Sequence, residues 1–121
     1  MAIGVFEDYH LLGKRIIYSS LRASGFELMD LGGGLSMEDI VKSIEEKSIK
    51  ILLLSVLMLP SALRVKELKK RIEPFGVTLI VGGAPFNFDK NLWKEVGADG
   101  FGSNPSEAIE LITQKIDRHY E

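Results

Sequence analysis

Two side chains with metal-ligating and acid–base chemistry stand close together near the start of the chain. They are Asp8 and His10, in the stretch EDYHLLGKR at 7–15, with Gly13 three residues past the histidine. A neutral imidazole offers a lone pair to a borderline metal. A carboxylate two residues away can hold the other ring nitrogen and fix the tautomer, or can simply cap the helix that follows. The second histidine, His119, reads as a dipole partner in the last turn of the final helix. The chain has no cysteine, which excludes disulfides, thiolate zinc sites, iron–sulfur clusters and cysteine nucleophiles.

The elements that must position these residues follow from hydrophobic patterning. AIGVF at 2–6 reads as a short strand, and 13–24 as a helix with Ile16, Ile17 and Leu21 on its inner face. FELMDLG at 26–32 alternates as a strand does, and the glycines that follow read as a flexible turn. Ser36 and Asp39 make a capping box for the helix MEDIVKSIEEK. KILLLSVL at 50–57 is continuously apolar, as a strand covered on both faces should be. MLPS breaks that strand, and Ser61 caps a helix over 61–73. VTLIVGG at 77–83 is the next strand, APFNF a loop, and Asp89 the cap of a short helix over 90–96. A last strand at 99–101 precedes a helix opened by Asn104, Pro105 and Glu107.

Five strands alternating with five helices predict a five-stranded parallel, doubly wound α/β sheet, flavodoxin-like, in the order 2-1-3-4-5 with helices on both faces. The 121 residues make one domain, 1–121. Ligands of such folds bind beyond the strand carboxyl ends, at the switch point between strands 1 and 3. That edge gathers Asp8, His10 and Gly13 after strand 1, and Ser55 and Leu57 at the end of strand 3. It also holds Gly82 and Gly83 after strand 4 and Ser103 after strand 5. Asp8, His10 and Ser55 are placed to meet there.

Several function classes drop out. The loop after strand 1 lacks the glycine-rich phosphate signatures, so a dinucleotide site is a poor fit. A phosphoacceptor receiver needs an aspartate at the end of strand 3, where this chain has Ser55. A net charge of −2 speaks against nucleic acid as the main partner. The longest apolar run, IKILLLSVLML, is far short of the ~18 residues a membrane span requires. The default compartment is the cytoplasm.

The residues match a family signature. DYHLLG at 8–13, SVL at 55–57 and GG at 82–83 resemble the D-x-H-x-x-G, S-x-L and G-G motifs of cobalamin-binding domains, above all the corrinoid proteins of methyltransferase systems and the B12 module of methionine synthase. The resemblance covers nearly the whole chain and implies a cobalamin cofactor. It implies that His10 is the lower axial ligand to cobalt, that Asp8 orients it, and that Ser55 extends the hydrogen-bond chain from Asp8. It further implies that the nucleotide tail lies between strands 1 and 3, with clearance from Gly13, Gly82 and Gly83 and Leu57 packed beside it. The function implied is a methyl or corrinoid carrier for a methyltransferase system, not an enzyme by itself. A corrinoid sensor or storage module, or the small subunit of a mutase, is the alternative.

Three departures from the family accompany it. No helical cap segment precedes the first strand, one small residue is missing before Asp8, and Met58, Leu59 and Pro60 stand where threonines are usual. The apolar MLPSAL and APFNF loops imply association, either with a methyltransferase or other corrinoid-handling protein or as a homodimer.

Overall fold

The computed structural model describes residues 1–102 and 104–120, the side chains of 117–120 excepted. Ser103 and the side chain of His119 thus lie outside the described residues. The strands β1 (Ala2–Phe6), β2 (Met29–Leu35), β3 (Ile51–Ser55), β4 (Thr78–Gly82) and β5 (Gly100–Phe101) form one sheet in the order β2-β1-β3-β4-β5. All neighbours pair in parallel. The doubly wound order expected from the alternation of elements is the one observed.

Among the described residues six α-helices accompany the strands: α1 (Leu12–Ala23), α2 (Met37–Lys47), α3 (Leu59–Ile72), α4 (Ala84–Phe88), α5 (Leu92–Glu95) and α6 (Pro105–Tyr120). Strand side chains alternate between faces, so the sheet carries two cores. Ala2, Phe6, Leu52, Leu54, Leu79 and Val81 pack with α2 and α3, while Ile3, Leu53 and Ile80 pack under α1 and α6 with Leu21 and Ile112. Burial on both faces explains the uninterrupted apolar run of β3.

Two of the expected caps form, those of Ser36 and Asn104, whereas the short helix after Asp89 starts at Leu92 with Asn91 as its cap residue. Ser36 Oγ accepts from the Asp39 N–H at 3.0 Å while the Asp39 carboxylate accepts from the Ser36 N–H at 2.9 Å. Asn104 Oδ1 accepts from the Glu107 N–H at 2.9 Å.

Four boundaries differ from the sequence expectation. The glycines at 32–34 are inside β2 rather than in a turn after it, because Gly32 (φ 84°) and Gly34 (φ 63°) take left-handed backbone and let the strand bulge against β1. The APFNF segment is a helical turn, not a loop: Gly83 swings the chain out and Pro85 occupies the first turn, where its missing N–H costs nothing. α3 likewise starts before Ser61, with Pro60 in its first turn and Ser61 buried within it. In α1 the inner face is Lys14, Ile17 and Leu21, while Ile16 is exposed.

Candidate functional site

The loop after β1 begins with a strained residue. Glu7 is a non-glycine residue at φ 56°, a backbone region that costs an L-residue about 1–2 kcal/mol. It is held there from two sides: its N–H donates to the Leu35 carbonyl at 2.9 Å, and its carboxylate pairs with Arg64 of α3 at 3.0 Å. Glu7 therefore supplies the tight bend for which a small residue had been expected before Asp8. The bend aims the loop at β2: the Asp8 carbonyl accepts from the Gly34 N–H at 2.6 Å. Leu11 and Tyr9 lie directly over Gly33 and Gly34, where any Cβ would collide with them.

Asp8 and His10 meet as expected. Asp8 Oδ1 accepts from the His10 backbone N–H at 2.9 Å and lies 2.5 Å from His10 Nδ1. These two bonds, the backbone one first, hold the Asp8 carboxyl below its ordinary pKa. An ionised carboxylate only accepts, so Nδ1 is the donor of the pair, and Nε2 has no partner among the described residues. The imidazole is 86% exposed and Asp8 only 15%. The outcome is a ring pinned at one nitrogen and open at the other.

Ser55 does not join this pair: among the described residues it makes no hydrogen bond to Asp8 or His10. The cause is the lean of the loop toward β2, whereas β3 lies on the other side of β1. Ser55 instead lines a cavity of about 170 Å³ at the carboxyl end of the sheet. Gly13, Leu57, Gly82 and Gly83 line the same cavity. It sits on the face of β1, β3 and β4 that α1 and α6 cover; within the sheet itself β1 and β3 are hydrogen-bonded in continuous register from Ala2↔Leu52 to Val5↔Ser55. The volume is below the ~300–1,000 Å³ of a whole small-molecule site, so it suits part of a larger group.

The three glycines do different work. A Cβ on Gly83, at φ 122°, would run into the Val56 carbonyl, and one on Gly82 would come within 2.8 Å of the Gly102 carbonyl. Those two are required by the close approach of backbone segments. A Cβ on Gly13 would meet nothing within 4 Å. Gly13 is thus a space the fold itself does not use, in the wall of the cavity.

Sequence reasoning missed one wall residue. Lys14 is 4% exposed, lines the cavity and pairs with Asp30 Oδ2 of β2 at 2.5 Å. Burial pushes the Asp30 carboxyl up, but the Lys14 ammonium and the Gly32 N–H outweigh it and hold the pKa low. The signal was present: 14, 17 and 21 follow helical spacing and place Lys14 on the apolar face.

Around this edge the surface is apolar. Tyr9, Leu12, Met58, Leu59, Leu63 and Phe88 are all more than half exposed. No helix among the described residues is long and apolar enough to cross a membrane.

Comparison with known proteins decides the family, because residues 1–110 match the B12 binding domain. This chain belongs to the B12-binding domain family. Its cofactor is accordingly a cobalamin. The trimethylamine corrinoid protein of Methanosarcina barkeri is 30% identical over 123 residues, covering 97% of this chain and 55% of the relative. The monomethylamine corrinoid protein 1 of the same organism is 36% identical over 113 residues, covering 88% and 51%. The solved structure of the Methanosarcina barkeri monomethylamine corrinoid protein superposes with a TM-score of 0.81 at 30% identity, over 93% of this chain and 56% of that one. This B12-binding chain spans about half the length of the curated relatives it matches.

Proposed function

We propose that this B12-binding chain is the corrinoid-carrying module of a methyltransferase system, handing methyl groups between partner enzymes. The names of its relatives favour methylated amines as the methyl source. The observation that carries the reading is the Asp8–His10 pair, in which the carboxylate holds Nδ1 and leaves Nε2 of an exposed ring open. Among the described residues no cluster of three or more His, Asp or Glu could hold a bare ion. A single imidazole suits a metal that arrives with its other ligands already supplied by an organic ring.

His10 Nε2 would be the lower axial ligand to cobalt. Asp8 would keep the ring in the tautomer whose Nε2 can ligate. Leu57, Gly82, Gly83 and Ser55 would line the bay for the cofactor's nucleotide tail, with Gly13 leaving the room. The bound cofactor supplies a cobalt centre able to accept and give up a methyl group. The ring of exposed apolar side chains, Phe88 at 95% the most open, would seat the methyltransferase that reaches the other face of the corrin. Self-association as a homodimer would use the same surface, and the cytoplasm is the expected compartment.

The test is reconstitution with hydroxocobalamin, desalting and a visible spectrum of wild type and His10→Ala. Retained corrin whose spectrum shows histidine ligation in wild type and loses it in His10→Ala is the expected result. Wild-type protein that retains no corrin, or a mutant spectrum identical to wild type, would overturn the assignment.

A further inference from the structure

The cavity wall holds a cation that the ligand loop does not use. Lys14 lies in the first turn of α1, directly after Gly13, and is 4% exposed. An ammonium has three N–H donors. Among the described residues its one hydrogen-bond partner is Asp30 Oδ2. Lys14 stands in the wall of a largely apolar cavity whose neighbouring walls are Ile3, Ile17, Leu53 and Ile80. Buried donors without acceptors are costly, and an apolar bay would be better lined there by leucine or methionine. Asp30 Oδ1 accepts from the Gly32 N–H at 2.8 Å, so the carboxylate meets the ammonium through Oδ2 alone. The pair is also asymmetric, with Asp30 36% exposed on its strand and Lys14 turned inward.

We infer that Lys14 is a specificity-determining contact for whatever enters the cavity, donating to an acceptor nitrogen on a flat heteroaromatic base. The inference rests on the reading of this cavity as the bay for the corrinoid's nucleotide tail. An apolar cavity of about 170 Å³ suits a planar ring better than a hydrated phosphodiester. A ring nitrogen released from cobalt when His10 takes its place needs a new donor. Asp30 holds the ammonium in position, so it acts through Lys14 as a positioning residue. The result is selection among corrinoids by their lower base.

The experiment measures equilibrium binding of three corrinoids to wild type, Lys14→Met and Lys14→Arg. The ligands are cobalamin, a phenolyl cobamide (phosphodiester kept, base without acceptor nitrogen) and cobinamide, which lacks the tail. Wild type should prefer cobalamin to the phenolyl compound by about tenfold, a difference of ~1.4 kcal/mol. Lys14→Met should erase that preference and leave cobinamide binding unchanged, while Lys14→Arg should retain part of it. A uniform loss across all three ligands, or a preference that survives in Lys14→Met, would overturn the inference. A loss in Lys14→Met confined to the two tailed ligands and equal for both would place the phosphodiester, not the base, at Lys14 and overturn it as well. The double variant Lys14→Met with Asp30→Asn removes the unpaired carboxylate, so the comparison survives if the single variant folds poorly. Wild type that binds no corrinoid at all would overturn the carrier reading first, and this inference with it; wild type that binds them without discrimination would overturn only the inference.

Discussion

Gly13→Ala should move stability and cofactor binding in opposite directions. Gly13 is helical, in the first turn of α1, and a Cβ there meets no atom within 4 Å. Without cofactor, the substitution removes backbone freedom from the unfolded chain and strains nothing. The expected gain is about 0.4–1 kcal/mol, or a rise of about 2–4 °C in the unfolding midpoint for a domain of this size. With cofactor, the same methyl stands in the wall of the cavity that the tail is proposed to fill. Overpacking a filled site costs about 1–3 kcal/mol, which weakens cobalamin binding roughly five- to a hundredfold. Thermal unfolding of the cofactor-free protein reads the first effect, and equilibrium titration with hydroxocobalamin reads the second. A variant that is stabilised and binds as tightly as wild type would refute the idea that the glycine is clearance. A destabilised variant would show that the space beside Gly13 is not open.

Gly83→Ala should behave in the opposite way: the Val56 carbonyl blocks the new methyl and the backbone is at φ 122°. A loss of more than about 3 kcal/mol in chemical denaturation is expected; a loss under 1 kcal/mol contradicts the close approach. At the strained bend, Glu7→Gly should be more stable than Glu7→Ala by about 1 kcal/mol, since both lose the Arg64 pair and only glycine relieves the left-handed backbone. Equal denaturation midpoints for the two would mean the strain is absent. For Asp8, a folded pKa held below the ordinary value makes its contribution complete above about pH 4 and lost as pH falls through the lower folded value. The gap in stability between wild type and Asp8→Asn should therefore close as pH falls below about 4; a gap that persists undiminished in stronger acid runs against this sign.

The sheet order was legible because strands buried on both faces, such as ILLL at 51–54, leave an unbroken apolar run that alternates with amphipathic helices. The Asp8–His10 pair was legible because residues two apart in a loop can share one carboxylate oxygen, a purely local relation. What spacing could not carry was direction. The lean of the loop toward β2 depends on a left-handed Glu7 held by Arg64, 57 positions along the chain, and it separates Asp8 from Ser55. Lys14 escapes a search for apolar side chains because it is charged, although its spacing with Ile17 and Leu21 places it inside. Gly13 and Gly83 look alike in sequence, yet one borders open space and the other a carbonyl.

The glycines of β2 widen the genetic target of this site. Gly33 and Gly34 lie under Leu11 and the Tyr9 ring, and the Gly34 N–H holds the Asp8 carbonyl. A replacement at either position must displace the Leu11 or Tyr9 side chain of the loop that carries His10, although neither residue lies in the cavity wall. Selection for loss of the cofactor's colour would then recover alleles at 33 and 34 alongside those at 8 and 10. Such alleles should be suppressible by a second change that shortens Tyr9 or Leu11, a genetic interaction between two segments that the primary sequence keeps more than twenty positions apart.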